Sequence, residues 1–369
     1  MKTKFLATTL ILSLLFLSAC DSTMELKNGD VNDQKSLKVS LNESVSELNN
    51  AVYYISNSEE FKLLGEVGLS TQQNASGIQY APEFWNDSIK ILLTDISGVY
   101  EYSWVKVKRA SFGILRFFER TADNEHLIVR LPVQKVRNYF YLFTHRVNDS
   151  TLINNFEADV YNYLYFRSHD KGLEYRLGAN LKVDSASIGA INIESTRNRV
   201  NGWNNKSVYQ LSNGFTVLNQ ENLGDTAVSV YSISKDNKIL YEENISSYKI
   251  NKENRHRERT YALTIGDVKI VRQMGPNSLD SAKVYVAGVL QTNAKVEIVV
   301  YEPEETEAGL TNMKRDIKIT FDDGTSTTIR ELTGNTIESI AGIFKSVRQA
   351  GFATQIVDRI ASNIYWTKN

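Results

Sequence analysis

The chain holds one cysteine, four prolines and four histidines in 369 residues. A lone thiol forms no internal disulfide, so the core must hold the fold unaided. Four prolines is few against an average usage of about 5%, which favours long uninterrupted strands. Lys and Arg number 42 against 43 Asp and Glu, a net charge of −1. Nucleic-acid binders carry a basic excess, so no nucleic acid is expected as partner. Gly-x-Ser-x-Gly, phosphate-loop and His-Glu-x-x-His patterns are all missing, and with them the usual signatures of hydrolases, nucleotide enzymes and zinc proteases. No catalytic residue, cofactor or metal is assigned, and an enzyme is not expected.

What is present is ordinary for a globular protein: 42% hydrophobic and 23% charged residues. The length exceeds the roughly 250–300 residues at which one core stops growing, which suggests two compact units.

The N-terminus reads Met1-Lys2-Thr3-Lys4, two cations without an acid, followed by the apolar run Phe5 to Ala19. That run is shorter than the ~20 residues a spanning helix needs and has the build of a signal peptide. It ends in Leu17-Ser18-Ala19-Cys20, an aliphatic residue, two small ones and the only cysteine. This resembles the lipobox of bacterial lipoprotein precursors. The resemblance implies cleavage before Cys20, a diacylglyceryl group on its thiol and acylation of the new N-terminus. Two or more acyl chains suffice for stable anchoring, at about 0.8 kcal/mol per buried CH₂. The mature chain is then extracytoplasmic and tethered to a membrane, with the outer membrane favoured. Asp21 resembles an inner-membrane retention signal of enterobacterial lipoproteins, whereas acids near the mature N-terminus resemble a surface-export signal of Bacteroidota-type lipoproteins, so the membrane face stays open.

Residues 1–19 thus read as signal peptide and 20–39 as a polar tether. Val45, Leu48, Val52 and Ile55 recur at helical spacing, and a second helix is expected over 82–96, with Pro82 in its first turn and Trp85, Ile89, Leu92, Leu93 and Ile96 on one face. From Val99 the period becomes two. Strands are expected near 99–108, 112–121, 126–135, 137–146 and 187–195, with a hairpin formed by 156–166 and 173–183 around the turn at 169–172. The Asn- and Arg-rich stretch 197–207 marks an expected boundary between a first unit, 40–196, and a second, 207–369. Turn signals at 235–238, 265–267, 291–294 and 321–324 punctuate the second unit. Stripes at Ile337, Ile340, Phe344 and Val347, then Phe352, Ile356, Ile360 and Ile364, predict a closing αα-hairpin packed on the sheet. The fold class is therefore β-rich α+β, antiparallel meanders with N-terminal packing helices and a C-terminal helical hairpin.

Candidate chemistry is sparse. Asp322 and Asp323 read better as the turn of a hairpin than as an acid–base pair. The acidic run Glu302 to Glu307 reads as a solvated loop, as does the mixed-charge run 251–260. His126 and His145 would share one end of a hairpin, with His169 at the other end. Aromatics are more suggestive: Tyr161, Tyr163 and Tyr165 alternate on one strand, opposite to Phe156, Val160 and Leu164. Exposed, they would form a platform for a glycan or a protein partner; packed, they would be ordinary strand aromatics. The leading reading is a lipid-anchored envelope protein acting as a binding or assembly module, whose partners are the membrane through Cys20 and another envelope protein, glycan or lipid. The alternative is a carrier of a hydrophobic ligand, since long antiparallel strands covered by helices resemble, in architecture alone, the LolA-like envelope carriers. A hydrolase comes third.

Overall fold

A computed structural model describes residues 36–58, 61, 88–103, 115, 117–133, 152–198, 202–224, 226–249, 257–275, 281–301, 314–349 and 351–368. It is a β-rich α+β fold built on a large antiparallel sheet, with one helix at the N-terminal end and others near the C-terminus. Cys20 and residues 20–35 of the expected tether lie outside the described residues, as do 137–146, His145 and His256, whereas residues 37–39 of that expected tether are helical.

Helix α1, Leu37–Asn57, opens on Ser36, whose hydroxyl accepts from Val39 N–H at 3.4 Å. Val45, Leu48, Val52 and Ile55 are buried along it, as their spacing predicted, and Leu41 extends the buried stripe. The expected helix over 82–96 is corrected in its described part. Ile89–Leu92 is strand β1, with Ile89 and Ile91 buried and their neighbours exposed, and only Leu93–Ile96 is helical (α2). The apolar positions there satisfy both periods, and β1 gains a ladder with Leu164–Arg167 that a helix would forgo.

The remaining strands are β2 Gly98–Tyr102, β3 Phe118–Ala122, β4 Leu127–Leu131, β5 Phe156–Ser168, β6 Gly172–Val183, β7 Ala186–Asn198, β8 Gly202–Gln210, β9 Phe215–Leu223, β10 Thr226–Lys235, β11 Lys238–Lys249, β12 Arg257–Ile265, β13 Val268–Met274, β14 Ser281–Val286 and β15 Val289–Leu290. They form one 15-stranded sheet in which β5 to β15 follow chain order as a meander. Among the described residues every pairing is antiparallel except β2 with β4. The expected unit boundary falls in the β7–β8 hairpin, where Asn198 pairs with Gly202, and the sheet runs through it.

Turn residues explain why the meander reverses where it does. Asp236 and Asn237 both take positive φ, 49° and 68°, the geometry of a two-residue hairpin turn. Gly266, at φ 55°, turns β12 into β13 directly beneath α1, where a Cβ would come within 2.5 Å of the Ser44 hydroxyl oxygen. The expected turn at 291–294 instead joins the large sheet to a second one, β16 Lys295–Tyr301, β17 Lys314–Thr320 and β18 Ser326–Thr328.

Three helices close the chain: α3 Ile329–Thr333, α4 Thr336–Gln349 and α5 Gly351–Lys368. A reciprocal cap starts α3, with Glu331 N–H donating to Thr328 Oγ1 at 3.1 Å and Thr328 N–H to Glu331 Oε2 at 2.9 Å. α1 packs on β11, β12 and β13, α4 on β9, and α5 on β1 and α2. All the helices belong to one core with the sheet face beneath them, here termed the inner face. On the outer face Glu101, Arg130, Glu157 and Lys182 form an ion-pair ladder across β2, β4, β5 and β6, at 3.0, 2.8 and 2.9 Å. Burial alone would raise the Glu157 carboxyl, yet hydrogen bonds from Lys182 and Arg130 hold it below its ordinary value.

Candidate functional site

Cross-strand partners in an antiparallel sheet share a face, so the register arranges the inner face of β8 to β13 into rows. The first row is Tyr209, Val217, Ile233, Tyr241, Ile265 and Val268, every member buried. The second is Ser207, Asn219, Tyr231, Glu243, Leu263 and Ile270; the third is Asn205, Glu221, Ser229, Ile245, Tyr261 and Arg272; the fourth is Trp203, Leu223, Ala227, Ser247, Arg259 and Met274. Burial falls from the first row outward, and polarity rises to a maximum in the third. Leu223, Ile245 and Arg259 are exposed in the outer rows, while Phe344 of α4 meets Tyr231 and Tyr241 at ring-centroid distances of 5.6 and 6.3 Å.

Between the third and fourth rows runs a groove of about 310 Å³ lined by Ala227, Ser229, Ile245, Ser247 and Arg259. Its inner border is a series of tyrosine–carboxylate bonds. Tyr231 donates to Glu221 at 2.9 Å and Tyr261 to Glu243 at 2.8 Å. Burial, then the Glu243 charge, pushes the Tyr261 hydroxyl far above its ordinary value, so it is a permanent donor. Asn219 is only 7% exposed, and its Oδ1 has no hydrogen-bond partner. Buried amide oxygens are normally paired.

A second tyrosine–carboxylate cluster lies elsewhere on the inner face, under α5. Tyr163 of β5 and Tyr175 of β6 donate to Asp358 Oδ1 at 3.1 and 3.0 Å, and their rings stack edge to face at 6.1 Å. Burial pushes the Asp358 carboxyl up to about 7, with the bonds from Tyr175 and Tyr163 opposing the rise. Asp358 as a residue keeps some accessible surface, but its carboxylate is turned toward the two tyrosines.

The tyrosines read as sharing one face, exposed or packed, are divided. A bulge between Val160 and Asn162 inserts one residue into β5, which reverses the faces of everything after it. Tyr161 sits at the bulge, 36% exposed, and donates to Asn192 at 2.7 Å. Tyr163 and Tyr165, at 4% and 7%, turn inward, and Leu164 and Phe166 turn outward. A three-tyrosine platform is thus replaced by one outer and two inner tyrosines. Asp323 is committed to Lys38 of α1 at 2.8 Å and to the Thr325 hydroxyl at 2.5 Å. Those bonds hold its carboxyl well below the usual range. His126 pairs with Asp159 at 2.7 Å and His169 with Asp170 at 3.3 Å. Among the described residues no cluster of three metal-ligating side chains occurs, and no helix is long and apolar enough to cross a membrane. Of the run 251–260, Arg257 to Thr260 lie in β12.

Sequence reasoning missed Asp358, Glu221 and Glu243, and read Arg259 only as part of a mixed-charge run facing water. Asp358 lies off the apolar stripe of its helix and gave no signal. The others did: along β9 the inner positions read Phe215, Val217, Asn219, Glu221, Leu223, a face that changes character midway. The chain matches no family model, no curated protein and no solved structure.

Proposed function

We propose that this chain is a lipid-anchored cell-envelope protein, held through acylated Cys20, whose body works by binding a partner on the outer rows of the inner face. The lipobox-like Leu17-Ser18-Ala19-Cys20 supports the anchor. The observation that carries the binding reading is the shared change of character in β8 to β12. Five neighbouring strands turn from apolar to aromatic, hydroxyl and charged residues at the same rows. A sheet face meant only to be solvated would need no Trp203, Leu223 or Ile245 among its charges, and mixed aromatic, apolar and charged lining is the composition of recognition sites. The carrier alternative would place its ligand between sheet and helices; there Phe344 meets two tyrosines and Asp358 meets two more, which favours the open groove as the binding place.

Two experiments test this. Metabolic labelling with palmitate is expected to mark the native protein and to be lost in Cys20→Ser, which then leaves the membrane fraction; a variant still in the membrane overturns the anchor. A photo-crosslinking residue at Ile245 is expected to capture a partner in intact cells, whereas the same residue at Tyr161 on the opposite face captures none. Adducts at Tyr161 alone would overturn the groove as binding surface.

A further inference from the structure

The fourth row does not stop at Trp203. Trp203 pairs with Arg197 of β7, Arg197 with Leu173 of β6 and Leu173 with Arg167 of β5, so one inner-face row crosses the sheet from β5 to β13. Arg167, Arg197 and Arg259 are exposed along it and form no ion pair among the described residues. No member of the row is acidic, and apart from Ser247 the others are apolar. We infer that this row, from Arg167 to Arg259, docks an extended segment of a partner protein in which acidic residues flank apolar ones. This rests on the binding reading above and names the partner chemistry for that surface.

Charge complementarity sets the sign of the occupant. Three exposed guanidiniums with no carboxylate in their row attract anions, and a guanidinium clamps a carboxylate in bidentate geometry. The apolar members set its class. Leu223 is 50% exposed, and Trp203 and Ala227 flank it in register. Apolar side chains of a peptide cover them, whereas a polysaccharide would bring hydroxyls there without partners. Glu221, beside Leu223 in the third row and bonded to Tyr231 at 2.9 Å, repels acids from the middle of the row and leaves that stretch to apolar residues. Shape favours a chain over a flat lipid surface. Seven strand steps separate Arg167 from Arg259, and at about 20° of twist per step the face turns by about 140° between them, a turn that a flexible chain follows and a membrane plane does not. Spacing sets the pattern. At ~4.8 Å per strand step, Arg167 and Arg197 stand about 10 Å apart and Arg197 and Arg259 about 24 Å. At ~3.4 Å per extended residue these gaps are about three and about seven residues.

Fluorescence anisotropy with the full-length native protein in phosphatidylcholine nanodiscs tests the assignment. The probe is the labelled, terminally capped peptide Glu-Leu-Ala-Glu-Ser-Leu-Ala-Ser-Leu-Ala-Glu. It is expected to bind, and its counterpart with Gln for every Glu to bind at least about 10-fold more weakly. Arg197→Gln and Arg259→Gln should each weaken the acidic peptide at least about 5-fold, whereas Lys206→Gln, at an exposed position on the outer face, should leave its affinity unchanged. The three positions are exposed, and unchanged thermal unfolding of each variant verifies the fold. Equal binding of the Glu and Gln peptides overturns the inference, and so does a loss in Lys206→Gln as large as that in the arginine variants. Heparin or phosphatidylglycerol vesicles binding in place of the peptide, and released by Arg197→Gln, would reject a protein partner while leaving the row as an anion site. Failure of the peptide with a partner still crosslinked at Ile245 would reject the acidic segment alone; failure with an uncrosslinked Ile245 would reject the binding surface as well.

Discussion

The two tyrosine–carboxylate clusters use the same chemistry for opposite ends. Under α5 one carboxylate gathers two tyrosines from adjacent strands and ties a helix to the sheet. On the outer rows each carboxylate has its own tyrosine within the sheet, and no helix is joined. The first arrangement spends all its donors between layers and seals them. The second stays in the plane of the sheet and leaves acceptor capacity facing outward. A buried polar network can thus be a fastener or a lining, and the difference lies in whether its partners come from one layer or two.

The comparison can be broken most forcefully through packing. Leu177, 2% exposed between Tyr163 and Ile193, should cost about 2–5 kcal/mol when cut to Ala. Leu223, 50% exposed in the outer row, should change stability by about 0.5 kcal/mol or less under the same substitution. Urea unfolding of the two variants measures both, and equal losses would remove the distinction between sealed and open regions.

The next effect is a pH dependence. The folded Asp358 carboxyl, raised to about 7, keeps a proton that the unfolded chain releases near 4. Its stabilising contribution is complete below about pH 4 and is lost as pH rises through 7, at up to ~1.4 kcal/mol per pH unit. Asp358→Asn keeps an oxygen acceptor for both tyrosines and cannot ionise, so it should flatten this slope and be more stable than the native chain at pH 8. A native stability that climbs between pH 4 and 7 in a manner sensitive to this substitution would reverse the assigned sign.

Smaller again is the hydroxyl itself. Tyr175→Phe leaves Asp358 with one donor in the sealed cluster and should cost about 1–2 kcal/mol, while Tyr231→Phe, with water at hand for Glu221, should cost under about 1 kcal/mol. Least of all, Gly178→Ala places a Cβ 2.7 Å from the Tyr161 ring. The exposed ring can swing out, so thermal unfolding should shift by a few degrees at most.

Much of the fold could be read in advance because period-two alternation survives wherever one face is buried. β6 is the clearest case, with Tyr175, Leu177, Ala179 and Leu181 all inward as the alternation required. β5 was legible only to Val160, because a bulge is a backbone event that shifts phase without a marker residue; Tyr161 and Asn162 are ordinary strand residues. The stretch 89–96 failed for another reason: apolar residues two, three and four apart fit both periods, and pairing with β5 decided. Glu221 and Glu243 were visible as polar intrusions on inner positions, but an intrusion signals a site only after register shows that its neighbours change in the same row. That information is lateral, and a single strand does not contain it.

The bulge in β5 also makes a counting rule. Residues before it are inward at even numbers, Phe156, Ala158 and Val160, and residues after it at odd numbers, Tyr163 and Tyr165. Removing Asn162 would delete the bulge and leave Tyr163 and Tyr165 inward, whereas pairing the full-length strand without the bulge would move Leu164 and Phe166 inward and both tyrosines into water. Asp358 would then face a wall without hydroxyls from β5. One inserted residue thereby acts as a parity bit for the strand, and the attachment of a helix distant in the chain depends on its value.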